Sequence, residues 1–286
     1  MSIRSTQWFS EALEARTAFS VRVSGKLFDR TSTFQRVEIF DSEAMGRFLV
    51  LDHCFMVTEK DHFVYHEMLV HPAMAVAEAP RSLLIIGGGD GGAVTEAVRY
   101  PSLESITLCE IDPLVVSACR EYLPEVSAGL DDPRVTVIHE DGAALVRESK
   151  KKYDVILVDS TDPVGPGTAL FEAPFYESIK KCLTPGGVAV FQTENPLLMQ
   201  DIFTMVVWDL VDVFGPDRAR TYLATIPSYP GALWTFTMGA NDRDPHVQTP
   251  REAPSEVQAQ LRYYNSEVHR AAFALPVFVK NILNRR

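Results

Sequence analysis

The stretch Leu83-Leu84-Ile85-Ile86-Gly87-Gly88-Gly89-Asp90-Gly91-Gly92 leaves little choice of fold. Four consecutive apolar residues suit a strand buried on both faces, and such strands belong to parallel sheets covered by helices. The strand runs straight into a glycine-rich turn. Gly87, Gly89 and Gly92 match the G-x-G-x-x-G spacing that lets a backbone turn tightly and approach a nucleotide closely. Asp90 sets this turn apart. A fixed negative charge opposes a pyrophosphate or a carboxylate at short range and favours a ligand that is cationic there.

The pattern downstream agrees with that start. Compact apolar runs at residues 83–86, 105–110, 135–139, 154–159 and 188–192 alternate with helical patterns at 93–99, 114–122, 142–147 and 175–182. Strands alternating with helices predict a doubly wound, Rossmann-like α/β sheet, whose ligands bind at the carboxyl ends of the strands. Ahead of it, residues 19–23, 37–40, 48–51 and 55–58 are short β-prone pieces separated by turn residues. They predict a small antiparallel β-domain over residues 1–60, with a catalytic domain over 61–286 that opens on a helix at 61–77. The tail predicts a helix at 198–213, strands at 221–226 and 233–238, and a polar loop at 241–254. A final helical stretch with Phe273, Leu275, Val277, Phe278 and Ile282 is expected to pack on the sheet. Trp234, Phe236 and Met238 alternate like the core face of one strand.

Composition narrows the ligand class. The 286 residues carry 27 Lys and Arg against 38 Asp and Glu, a formal net charge of −11. Such a balance opposes nucleic acid, which needs clustered cations, and suits cationic ligands. No apolar run approaches the ~20 residues of a membrane span, and the first residues lack the apolar core of a signal peptide. Cys54, Cys109, Cys119 and Cys182 show no C-x-x-C spacing and read as reduced thiols of a cytoplasmic protein, with Cys109 and Cys182 in the core. His53, His62, His66 and His71 are irregularly spaced. The His62/His66 pair lacks a third-ligand pattern, so no metal site is expected.

Acids stand at four successive strand ends: Asp90, Glu110, Asp141, and Asp159 with Asp162. One such acid alone reads as a helix cap or a solvated turn, and Asp112 before Pro113 looks like a cap. Four of them converge on one crevice, where like charges need a cation to be tolerable. Glu110, about 20 residues past the glycines, suits ribose hydroxyls. The loop has no G-K-[ST], which argues against ATP hydrolysis. A nicotinamide-dependent dehydrogenase fits the glycines but leaves the acids unexplained. A methyltransferase using S-adenosylmethionine would set its carboxylate beside Asp90. An adenosine bearing a positive charge, with a second cationic substrate, fits better.

Gly87-Gly88-Gly89-Asp90-Gly91-Gly92, Glu110-Ile111-Asp112, Asp141-Gly142 and Asp159-Ser160-Thr161-Asp162-Pro163 closely resemble the spermidine synthase family of aminopropyltransferases. The resemblance extends upstream to Thr58-Glu59-Lys60-Asp61 and Tyr65-His66-Glu67-Met68. Downstream it takes in Gly165-Pro166, Leu170-Phe171, Phe175-Tyr176, Ile226-Pro227-Ser228-Tyr229-Pro230, Tyr263-Tyr264-Asn265 and residues 271–276. It covers nearly the whole chain in order, and implies a methyltransferase-type sheet and transfer of an aminopropyl group from decarboxylated S-adenosylmethionine to a diamine, usually putrescine. The products are spermidine and 5′-methylthioadenosine. The missing carboxylate of that donor accounts for Asp90.

By that resemblance Gln35, Gly87, Gly89, Glu110, Ile111, Asp141, Gly142 and Pro166 hold the donor, and Asp90 and Asp159 hold its aminopropyl ammonium. Tyr65, His66, Asp162, Gln192 and Tyr229 line the diamine slot, with Asp159 as general base, Tyr65 orienting the amine, and residues 161–171 as a gate. The donor is a co-substrate and no prosthetic group is implied. Homodimers or homotetramers are implied, with the N-terminal strands at the interface. On the residues alone, Tyr65 and His66 also read as a packed core pair. Glu194 reads either as a wall of the amine slot or as a helix cap. Ser228 stands where threonine is expected, which keeps the hydroxyl. A non-catalytic nucleoside-binding relative would be expected to lose Asp159, Asp162 or Tyr65, and all three are present.

Overall fold

A computed structural model of the protein describes residues 7–13, 17–161, 165–245 and 247–286. The chain begins with an antiparallel hairpin, β1 (Gln7–Leu13) and β2 (Thr17–Val23). Then β3 (Gly25–Thr31), β4 (Arg36–Ser42), β5 (Gly46–Leu51) and β6 (Cys54–Thr58) form a four-stranded antiparallel sheet in that order. Alternation divides its side chains. Val37, Ile39, Leu49, Leu51 and Val57 face one cluster, and Phe40, Phe48, Val50 and Phe55 face another with Phe9 and Val21 of the hairpin. Six strands stand where the sequence pattern predicted four. The two additional ones, β1 and β3, carry mixed polarity, and β3 is an edge strand that is exposed or half-buried throughout, so neither shows a two-residue hydrophobic period.

The helix α1 (His62–Val76) is buried at every position from Val64 to Val76. A helix apolar nearly all round belongs in the interior, between layers. It lies on the main sheet, and its buried Glu67 carboxylate accepts backbone N–H bonds from Arg262, Tyr263 and Tyr264 at 2.8, 2.9 and 2.7 Å.

Alternating strands and helices follow: β7 (Ser82–Gly87), α2 (Gly92–Ala97), β8 (Ser105–Cys109), α3 (Pro113–Tyr122), β9 (Val135–Ile138), α4 (Gly142–Glu148), β10 (Tyr153–Asp159), α5 (Ala173–Cys182), β11 (Leu183–Gln192), α6 (Gln200–Phe214), β12 (Ala219–Thr225) and β13 (Leu233–Ala240). The seven strands order as β12-β13-β11-β10-β7-β8-β9; β13 runs antiparallel to both its neighbours and the other pairs are parallel. Leu83, Ile85, Val155 and Leu157 face α1 and α2, whereas Leu84, Ile86, Ile156 and Val158 pack with Val146, Phe175, Ile179 and Leu210 of α4, α5 and α6. The sheet is thus doubly wound, with a methyltransferase-like strand order.

The chain moves outward from β7 to β8 and β9, then returns to place β10 on the other side of β7. That reversal opens a crevice at the carboxyl ends of β7 and β10, where ligands of such sheets bind. Pairing sets Gly87 opposite Asp159, so register alone brings the glycine turn beside an acid.

Beyond β13 the chain is irregular to α7 (Ser255–Gln258), followed by α8 (Ser266–Ala272) and α9 (Val277–Leu283). The single final helix expected from the sequence is therefore split, because Pro276 ends the run and caps α9. Its first part meets the sheet: Phe273 packs on Tyr222 of β12 with ring centroids 4.7 Å apart. The rest, through Val279 and Ile282, packs on Phe203 and Val207 of α6. Among the described residues no helix is long and apolar enough to cross a membrane.

Candidate active site

The glycines at the end of β7 are there because side chains would collide. Gly87 and Gly88 have φ of +79° and +69°, in the left-handed region that favours glycine. A Cβ on Gly87 would sit 2.1 Å from the Asp159 carbonyl oxygen, and one on Gly88 2.7 Å from Asp159 Oδ2. On Gly89 it would meet the Glu110 side chain at 2.7 Å, and on Gly92 the His66 ring at 2.0 Å. The turn therefore threads between three of the groups that the sequence singled out.

These groups surround a cavity of about 330 Å³ between β6, α1, the strand ends and the β12–β13 connection. Nine acidic residues border it, and among the described lining residues there is no Lys or Arg. Glu110 is buried and accepts N–H bonds from Gly89 at 3.1 Å and Asp112 at 2.9 Å. Burial, with the nearby Asp112 and Asp90 charges, raises its pKa to about 7 despite those bonds. Asp141 caps α4 through the Ala143 and Ala144 N–H groups and borders the cavity beside Gly142 and Ile111. Asp112 caps α3 ahead of Pro113, and its other oxygen accepts from Gln35 Nε2 at 3.2 Å and Ser32 Oγ at 2.7 Å. This cap fixes Gln35, which lines the same end of the cavity.

Toward the middle, α1 presents Tyr65 and His66. Tyr65 donates its hydroxyl to Asp159 Oδ1 at 2.6 Å, and Asp159 Oδ2 is shielded from solvent with no hydrogen-bond partner among the described residues. Burial first, and then the Asp90 charge, raise the Asp159 pKa to about 6; His66 and the Tyr65 bond act the other way. His66 Nε2 lies 3.3 Å from Asp90 Oδ1, an oxygen that also accepts the Gly92 N–H at 2.6 Å. Burial opposes a charged His66, yet the neighbouring Asp90 and Asp159 raise its pKa overall. The same contact holds Asp90 below the usual carboxylate range against the effect of its burial. Donor atoms of His66, Asp90 and Asp159 all lie within 4.8 Å of one another.

The far end is aromatic and acidic. Tyr229 stands 5.7 Å from Tyr65 and 4.7 Å from Trp234 between ring centroids, and donates its hydroxyl to the Met56 carbonyl at 2.9 Å. Asp61 places this connection by accepting the Ser228 N–H at 2.7 Å, so it is the backbone of Ser228 that ties it to α1. Gln192 donates to the Ser160 carbonyl at 3.2 Å and to Glu194 at 3.3 Å.

Every other described residue expected at the site borders this cavity; Pro166 belongs to a short 3₁₀ segment, Gly165–Phe171. Asp162 lies outside the described residues. Glu194 is buried at φ +70° on the cavity wall, and Asn195 makes the turn by accepting the Leu197 and Leu198 N–H groups, so Glu194 is not the cap. Phe236 and Met238 are core as expected; Trp234 is half-buried, packs against that core and also lines the cavity, and its buried Nε1 has no partner among the described residues. Cys109 is buried as expected and also borders the cavity. Glu11 and His62 were not singled out as site residues and line it too. Glu11 reaches the wall from the hairpin, where it accepts the Phe55 N–H at 2.8 Å. Nothing in the sequence places β1 there, whereas His62 is one helical turn from His66.

Residues 62–251 match a family profile described as the spermine/spermidine synthase domain, and residues 7–59 one described as the spermidine synthase tetramerisation domain. The chain is 45% identical over 276 residues to a polyamine aminopropyltransferase of Moorella thermoacetica, covering 96% of each. It is 42% identical over 277 residues to one from Thermoanaerobacter sp. strain X514, covering 97% of this chain and 98% of that one. Among solved structures, a spermidine synthase in complex with the transition-state analogue AdoDATO superposes with a TM-score of 0.93 at 38% identity, covering 99% and 97% of the two chains. The spermidine synthase of Thermotoga maritima gives 0.90 at 36% identity, covering 99% and 96%.

Proposed function

The chain belongs to the spermine/spermidine synthase family, and on that footing we propose that it is a putrescine aminopropyltransferase. It moves the aminopropyl group of decarboxylated S-adenosylmethionine to putrescine, giving spermidine and 5′-methylthioadenosine. The observation that carries this reading is the Tyr65–Asp159 pair, 2.6 Å apart, in a cavity bordered by acids and by no described Lys or Arg. Such a site suits two cationic substrates and penalises an anionic one. The aminopropyltransferase names of the relatives, and the transition-state analogue bound by a structural neighbour, support the same reaction.

In this reading Glu110, Gln35, Asp141 and Ile111 hold the adenosine, and Asp90 with Asp159 face the donor's ammonium. The acceptor lies along Tyr65, Gln192, Tyr229 and His66. An alkylammonium has a pKa near 10.4, so one amine must lose a proton before it attacks. Asp159 takes that proton. The freed lone pair forms a C–N bond to the methylene beside the sulfonium, and the C–S electron pair returns to sulfur. Tyr65 steers the carboxylate, and alignment of two bound reactants supplies much of the rate. The division at residue 60, cytoplasmic residence and a homodimer or homotetramer belong to the same proposal. The two family matches, which end at residue 59 and begin at 62, and the description of the first support the division and the assembly.

Incubation with decarboxylated S-adenosylmethionine and a panel of putrescine, cadaverine, agmatine and spermidine, read by mass spectrometry, tests it. Spermidine as dominant product is expected. A different aminopropylated amine moves the specificity, since one methylene is worth only about 1–3 kcal/mol in a pocket. Methylthioadenosine from no amine refutes the reaction.

A further inference from the structure

The end of β11 is irregular where it meets the cavity. Gln192 still pairs with Phe236 of β13. Beyond it the Thr193 N–H bonds to the Thr235 carbonyl at 2.9 Å, while the Thr235 N–H bonds to the Glu194 carbonyl at 3.1 Å. Two residues thus face one, as in a β-bulge, a device that re-aims side chains beside functional sites. Glu194 takes φ +70° there, a strained conformation for a residue with a side chain, which persists only where the surroundings enforce it. Thr235 supplies that enforcement. Besides its N–H, its hydroxyl donates to the Glu194 carbonyl at 2.7 Å and lies 2.9 Å from the Thr193 carbonyl. Thr235 is fully buried, and its Oγ1 is held in turn by Thr193 Oγ1 at 2.9 Å.

The consequence falls on Gln192. The Glu194 N–H donates to Gln192 Oε1 at 3.2 Å, and Gln192 Nε2 donates to Glu194 Oε1 at 3.3 Å and to the Ser160 carbonyl at 3.2 Å. A reversed amide would set N–H against N–H at the Glu194 backbone. It would also set oxygen against oxygen at Ser160 and at the Glu194 side chain, so one orientation alone is satisfied. In that orientation both amide donors are used, and what is left is a lone pair on Oε1. Gln192 borders the cavity, so an amine that meets this side chain meets an acceptor, whereas the reversed amide would offer donors. We propose that Glu194, held left-handed by Thr235, is a positioning residue that locks the Gln192 amide with its oxygen available to the acceptor amine. This rests on the aminopropyl-transfer reading, in which Gln192 lines the acceptor's path. Glu194 acts through Gln192 rather than on the amine.

The test takes the amine that the wild-type chain uses best and compares T235V, T235S, E194Q and Q192A by steady-state kinetics. Expected for T235V and for E194Q is an acceptor KM about 3–10-fold above wild type, the scale of one hydrogen bond, with donor KM unchanged and kcat changed less than the acceptor KM. T235S keeps the hydroxyl and should keep the wild-type KM. The double variant Q192A/E194Q separates the two routes of action. With the amide gone there is nothing to lock, so E194Q should add nothing to the effect of Q192A. An E194Q effect that persists in full on the Q192A background shows Glu194 acting on the amine itself and overturns the proposal. So does a wild-type acceptor KM in both T235V and E194Q. A loss of donor affinity by calorimetry that matches the loss for the amine overturns it too, since that marks a general collapse of the cavity. Wild-type protein that forms no methylthioadenosine with any amine overturns instead the reading beneath it.

Discussion

Substituting Asn for Asp159 keeps the side chain's volume and the oxygen that accepts the Tyr65 hydroxyl, but removes the charge. In the native protein this carboxyl binds its proton near pH 6, against 3.8 ordinarily. Each pKa unit is worth about 1.4 kcal/mol, so a shift of about two units means that the charged form costs the fold about 3 kcal/mol. The sign follows from linkage. Below pH 3.8 both folded and unfolded states carry the proton and no cost exists; between about 3.8 and 6 the unfolded state alone gives it up and stability falls, and above about 6 the full cost is in place. D159N escapes that cost. It is expected to unfold about 5–10 °C above wild type near pH 8, with the gap closing below pH 4. Turnover moves the opposite way, down by about 10²–10⁴-fold, as loss of a general base requires. Thermal unfolding at the two pH values, with methylthioadenosine release on the same samples, reads both. A variant less stable than wild type near pH 8, or one that keeps its turnover, refutes the argument. The stability result would remove the electrostatic account of the site, and the turnover result would remove Asp159 from the base role.

Tyr65→Phe deletes the 2.6 Å bond that lowers the Asp159 pKa; the acid limb of the kcat/KM profile should move to higher pH, with a loss of about tenfold or more. Gly88→Ala puts a methyl 2.7 Å from Asp159 Oδ2 at φ +69°; a drop of about 10²-fold in kcat/KM is expected from the displaced carboxylate, while wild-type turnover would deny the close packing. Glu67→Ala strands three backbone N–H groups, and equilibrium unfolding should show a loss of about 3–5 kcal/mol, with Glu67→Gln milder because its one oxygen still accepts.

The central sheet was readable because its strands are continuous apolar runs and its turns carry glycine and acids at the strand ends. The acids that converge in space, Asp90, Glu110, Asp141 and Asp159, are those the sequence spaced one per strand, since a parallel sheet places all such ends on one edge. What escaped notice depends on packing between distant segments. β3 shows its side chains mostly to solvent and carries no period. Glu11 reaches the cavity only because the β1–β2 hairpin folds against the four-stranded sheet. Trp234 shares a strand with Phe236 and Met238, and its position at the edge of the core is set by the Ile226–Ala232 turn, whose Ile226 N–H bonds to the Ala232 carbonyl at 2.7 Å. The left-handed backbone at Glu194 is a tertiary effect at a residue type that does not favour it.

The grip of Glu67 on the backbone of Arg262 to Tyr264 ties α1 to a segment synthesised some 195 residues later. Tyr65 and His66 immediately precede that same glutamate. During translation the glycine turn and all four described acids of the strand ends emerge well before the partner that anchors the helix facing them. The nascent chain therefore carries a growing set of like charges around an opening whose opposite wall is not yet fastened. A ribosome stalled short of residue 262 would display a finished sheet with an unsecured site. Cationic ligands would find it wide, solvated and weakly attractive until the last contact closes.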